Sequence, residues 1–105
     1  MTVSISNIQL QGARIVRVVE DADRQRLTFE VSFAIPNEGS DFPRRRFAFQ
    51  FCSRYLVEEA RGAGEPTIQR VETKEIDPHR TTIRMHTDHG FREVTCWPEV
   101  LEETT

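Results

Sequence analysis

The sequence predicts an all-β fold: an antiparallel sandwich or partly closed barrel of about six to seven strands, forming a single domain over residues 1–105. Three observations carry that expectation. Apolar residues recur at every second position through most of the chain, which is strand periodicity. The joints between these runs are rich in Gly, Pro, Asn and Asp, the residues that supply turn geometry. Most runs keep one polar face, and sheets with one wet face are normally antiparallel.

The elements follow in chain order. A short first strand falls around "VSISNIQL". Residues 13–20, "ARIVRVVE", are apolar in both phases, with Ile15 and Val19 opposing Val16 and Val18. That suits a central or bulged strand of β-branched residues. After the turn "EDADRQ", "LTFEVSFAI" puts Leu27, Phe29, Val31, Phe33 and Ile35 on one face. The turn "PNEGSDFP" leads into "RFAFQFCSRYLV", where Phe47, Phe49, Phe51, Tyr55 and Val57 share a face. We read this as one long strand reaching about residue 59. A short helix near residues 53–61 is the alternative, with Ser53 as N-cap and Gly62 just past its end. Past the loop "RGAGEP", "TIQRVETKEI" is a weaker strand, and its broken alternation predicts a bulge near residue 70. In "RTTIRMHT", Ile83 and Met85 oppose Arg84 and His86. "TDHG" reads as a hairpin turn in which Gly90 takes the left-handed conformation. "FREVTCW" ends at Trp97-Pro98, since Pro stops a ladder. The acidic tail "EVLEETT" is expected to fray.

Composition bounds the function. Hydrophobic residues make up 37% and charged residues 30%, a globular balance. A net charge of −3 gives no general attraction to nucleic acid or anionic lipid. No apolar run approaches the ~20 residues that span a bilayer. The opening residues carry neither a basic region nor a continuous apolar stretch, so a cytoplasmic location is expected. Of the 14 basic residues only Lys74 is Lys, a bias typical of GC-rich bacterial coding. Cys52 and Cys96 are far apart and lack CxxC spacing, so two reduced, inert thiols are expected. A disulfide would need their strands to be neighbours.

"RRRFAFQFCS", residues 44–53, invites comparison with the basic-aromatic octamer of RNA-recognition domains. Arg45, Phe47, Ala48 and Phe49 match it; Arg46, Gln50 and Cys52 do not. The intervening face, Arg46 to Arg54, cannot form a core, so Phe47, Phe49 and Phe51 are expected to point inward. Arg44, Arg46 and Arg54 then form an outward basic stripe, expected to pair with glutamates on neighbouring strands.

All three histidines fall within "DPHRTTIRMHTDHG", together with Asp77 and Asp88. "HTDH" resembles the tail of the HxHxDH motif of metallo-β-lactamase-type hydrolases. The leading His position of that motif falls on Arg84, and that family needs a much longer chain, so the resemblance is rejected. No nucleophile elbow, zinc-protease motif or phosphate-cradling loop is present. Glu58 and Glu59 would point to opposite faces. No enzyme activity and no cofactor are expected.

The leading expectation is therefore a protein-interaction or self-associating module, with an unidentified protein or itself as partner and no membrane. Phe91, flanked by His89 and Arg92, is the first candidate contact point, with Arg44, Arg46 and Arg54 as a second. A small-molecule or metal site at His79, His86, Asp88 and His89 is the alternative. A weak nucleic-acid binder using the arginines ranks last.

Overall fold

Backbone pairing was traced in a computed structural model that describes residues 2–33, 44–60 and 64–104. Nine strands are seen among them: β1 (Thr2–Ser4), β2 (Ala13–Asp21), β3 (Arg26–Phe33), β4 (Arg44–Phe49), β5 (Arg54–Glu59), β6 (Ile68–Asp77), β7 (Arg80–Thr87), β8 (Gly90–Cys96) and β9 (Glu99–Thr104). One sheet runs β1-β9-β4-β3-β2 and the other β5-β8-β7-β6. Every neighbouring pair is antiparallel. The predicted all-β sandwich is what forms. Its sheets are stitched at one side, where the Gly12 N–H donates to the Ile68 carbonyl at 2.8 Å and the Ile15 N–H to Pro66 at 2.9 Å.

Period-two alternation explains the packing. Leu27, Phe29 and Val31 on β3 and Phe47 and Phe49 on β4 turn one face inward. Ile83 and Met85 on β7 and Val94 and Cys96 on β8 meet them from the other sheet. Phe29 packs edge-on to Phe49 at 5.4 Å and to Tyr55 at 5.9 Å, which locks the two sheets together.

Several expectations change. The run from Phe47 to Glu59 is not one strand and holds no helix. It breaks at Phe51, whose φ of 52° is left-handed, and passes from one sheet to the other. The "fraying" tail is β9, which fills the gap between β1 and β4. Those two changes take the strand number from seven to nine, and β1 ends early in a 3-10 turn at Ile5–Asn7. β2 is bulged between Ile15 and Arg17 as predicted, but it lies at a sheet end rather than centrally. The bulge predicted near residue 70 lies between Ile68 and Arg70. Ile35, the turn "PNEGSDFP" and the cap Gly62 lie outside the described residues.

β4 and β9 continue into β5 and β8 without losing register. Arg45 faces Thr104 before the break and Glu59 faces Gly90 beyond it, at the same offset. The four strands are thus one long antiparallel ribbon that bends at Phe51 and Trp97, where a corner carries it between the sheets. Gly90 has a role other than the predicted turn. Its φ of +149° lies outside β geometry for other residues, and a Cβ there would overlap the Glu58 carbonyl oxygen. Gly90→Ala should therefore cost roughly 2–3 kcal/mol, read as a lower midpoint in urea. A wild-type midpoint would mean that β5 and β8 approach less closely.

Candidate functional site

The structure separates the residues that the sequence grouped. Arg44 and Arg46 stay on the outer face of β4, and Arg44 contacts Glu30 at 3.3 Å. Arg46 stands between Glu30 and Glu103 in the register. Arg54 belongs to the other sheet, because the chain has crossed over at Phe51. The basic stripe is therefore broken.

Phe91 is out of phase with Val94 and Cys96 and lies on the outer face of β8. It is half-buried beneath the Arg84 guanidinium, 4.5 Å from the ring centre. Arg92 corrects the sequence reading. It points inward with Val94, and its side chain is only 14% exposed. It donates to Glu59 Oε1 at 2.7 and 3.0 Å and to the Tyr55 hydroxyl at 3.2 Å. Thr87 donates to the other Glu59 oxygen at 3.1 Å. Burial pushes the Tyr55 phenol up from its ordinary value. For Arg92, burial acts to lower the pKa, but the Glu59 hydrogen bond and the neighbouring charges outweigh it and hold the group above its usual value. Arg92 thus holds the inner end of β8 and offers no outer contact.

The histidines do not converge. His79 is in the β6–β7 turn and His89 in the β7–β8 turn, at opposite ends of β7. The His79 N–H donates to Asp77, which Arg80 also contacts; those two bonds hold the Asp77 carboxyl below its usual range. His86 faces Glu72 and Arg70. Asp88 accepts the Thr67 N–H at 2.9 Å, which ties the β7–β8 turn to the residue before β6. No group of three metal-ligating side chains forms among the described residues.

The feature that sequence reasoning missed is the corner itself. Phe51, expected inside, is 46% exposed, and Trp97 is 42% exposed. Their rings stack at 4.0 Å with a 31° tilt. The corner is held by backbone bonds from Trp97 N–H to Gln50 at 3.0 Å and from Cys52 N–H to Gln25 at 2.8 Å. Beside it a groove of about 260 Å³ runs between the β2–β3 turn and the start of β5, lined by Gln25, Leu27, Cys52 and Tyr55 among others.

The groove opens on β5, an end strand whose only partner among the described strands is β8. The other ends are guarded or short. β6 carries Lys74 and two bulges, β2 is bulged and tied to β6, and β1 has three residues. β5, "RYLVEE", has no Lys, Pro or bulge, and Val57 on it is exposed.

No protein-family model, curated protein or solved structure matches the chain. No helix among the described residues is long and apolar enough to cross a membrane.

Proposed function

We propose that this protein is a non-catalytic, self-associating module that pairs two copies along β5. The observation that carries the reading is the unguarded edge of β5, whose sequence is complementary to itself. Ala60 N–H donates to the His89 carbonyl at 2.8 Å, and the register is unbroken from there to Arg54. Hydrogen bonding in an antiparallel pair alternates. Leu56 and Glu58 therefore turn their backbone groups to β8, while Tyr55 and Val57 turn theirs outward. A second β5, antiparallel about a two-fold axis at Leu56, sets Tyr55 of each copy against Val57 of the other. On the outer face Leu56 meets Leu56, and Arg54 of each copy meets Glu58 of the other. Neither Arg54 nor Glu58 has an ion-pair partner among the described residues. Such pairing is isologous and closed, giving a continuous eight-stranded sheet.

Charge reversal tests it. Arg54→Glu alone sets Glu against Glu, and Glu58→Arg alone sets Arg against Arg. Each should be monomeric by sedimentation at concentrations where the wild type dimerises, roughly tens of micromolar for so small an interface. An equimolar mixture of the two variants should associate, because each then meets its opposite charge twice. Dimers in either single variant, or monomers throughout in the wild type, would defeat the proposal. Monomeric wild type that retains another protein through the same strand would instead move the reading to a hetero-partner.

A further inference from the structure

The two cysteines, separated by most of the second half of the chain, meet at the corner. Cys52 lies one residue past Phe51, and the backbone bonds from Trp97 N–H to Gln50 at 3.0 Å and from Ser53 N–H to Thr95 at 2.9 Å bracket it opposite Cys96. Cys52 packs against the buried cluster that contains Cys96. The Cys52 thiol donates to the Phe49 carbonyl oxygen at 3.3 Å. Their surroundings differ. Cys96 is fully buried in the core, whereas Cys52 is half-buried and lines the groove beside β5. One sulfur is thus open to a small reactant, and the other waits behind it.

We propose that Cys52 and Cys96 form a peroxide-reactive pair, with Cys52 as the attacking thiol and Cys96 as the resolving one, closing to a disulfide within the chain. The Cys52 sulfur, as thiolate, attacks one oxygen of hydrogen peroxide. The O–O bond breaks, and the departing hydroxide takes up the proton that Cys52 released, giving water. Cys52 is now a sulfenic acid. The Cys96 sulfur attacks the Cys52 sulfur, the S–O bond breaks, and hydroxide leaves with the Cys96 proton as a second water. Two thiols are oxidised to one disulfide while one peroxide is reduced to two waters.

The electrostatics agree with these roles. The hydrogen bond from Cys96 lowers the Cys52 pKa below the ordinary thiol value, against burial and the nearby Glu20 carboxylate, which act to raise it. The Cys96 thiol is pushed up, first by its bond to Cys52 and then by burial. Cys52, which lines the groove while Cys96 is fully buried, is the sulfur a reactant reaches, and the thiolate is the nucleophile. Arg26 and Arg54 line the same groove, with Asp21 and Glu20 opposite in sign.

The test uses the whole reduced chain and hydrogen peroxide. Wild type should lose both free thiols and about 2 Da in intact mass, with no covalent dimer. The bond closes a long loop, so the oxidised protein should melt roughly 10 °C above the reduced one. Cys96→Ala should stop at the sulfenic acid and be trapped on Cys52 by dimedone. Cys52→Ala should leave a thiol that neither peroxide nor dimedone alters in the folded state. The proposal falls if wild type keeps two thiols, if it links only between chains, or if Cys96 is modified before Cys52. Cys52→Ala and Cys96→Ala can each be checked for folding by circular dichroism, so a misfolded variant does not decide the outcome.

Discussion

Phe49→Ala should lower stability by about 3–5 kcal/mol, enough to leave a domain of this size close to its unfolding threshold. Phe49 is fully buried, on the inner face of β4 and edge-on to Phe29. Removing it opens a cavity at the point where the sheets lock, and neither Tyr55 nor Phe47 can fill it without leaving its own contacts. The informative control is two residues away. Phe51→Ala should cost about 1 kcal/mol or less, because that ring is half-exposed and loses only its stack on Trp97. Urea denaturation of both variants measures the difference. Equal losses would mean that the ribbon runs straight through residue 51 and that the corner is wrong.

Arg92→Ala should be comparably damaging, at about 3–5 kcal/mol. The loss is not the worth of the ion pair itself. It is the cost of leaving the Glu59 carboxylate, 12% exposed, without its cation. Thr87 alone then contacts it, and the Tyr55 hydroxyl loses its donor. If that physics is right, the double variant Arg92→Met/Glu59→Met should recover most of the loss, because it removes both charges together. A double variant no better than Arg92→Ala would assign the effect to packing instead.

Much of the fold is legible in the sequence because burial on one face enforces a period of two. Leu27, Phe29, Val31, Ile83 and Met85 sit inside as the alternation requires. The bulges in β2 and β6 coincide with breaks in that alternation. The corner was not legible. A left-handed residue is normally announced by Gly or Asn, and here it is Phe51, inside a run whose alternation continues through Tyr55. Trp97-Pro98 marked one half of the corner, but a stop signal does not say that the chain resumes in the other sheet. β9 was lost for a related reason. "EVLEET" is acidic, yet Val100 is buried where it faces Phe49, and a single apolar anchor outweighs the polar remainder.

The site was less legible than the fold. The sequence offers Arg92 as an outer contact beside Phe91, because a charge is placed inside only by Glu59 and Tyr55, which come from another strand. Proximity in sequence gathered the histidines, and strand geometry sends them to opposite ends of β7. The contact of Cys52 with Cys96 depends on a register that no local pattern encodes. The self-complementarity of "RYLVEE" was present in the letters, but it acquires meaning only when β5 is seen to pair with β8 alone among the described strands.

The most direct measurement is hydrogen exchange of individual β5 amides at low and high protein concentration. The Leu56 and Glu58 N–H groups, bonded to β8, should be protected at both. The Tyr55 and Val57 N–H groups should exchange quickly when dilute and slow markedly as the copies pair. Fast exchange of Tyr55 and Val57 at every concentration, with Leu56 and Glu58 protected, would leave the fold standing and contradict association through β5.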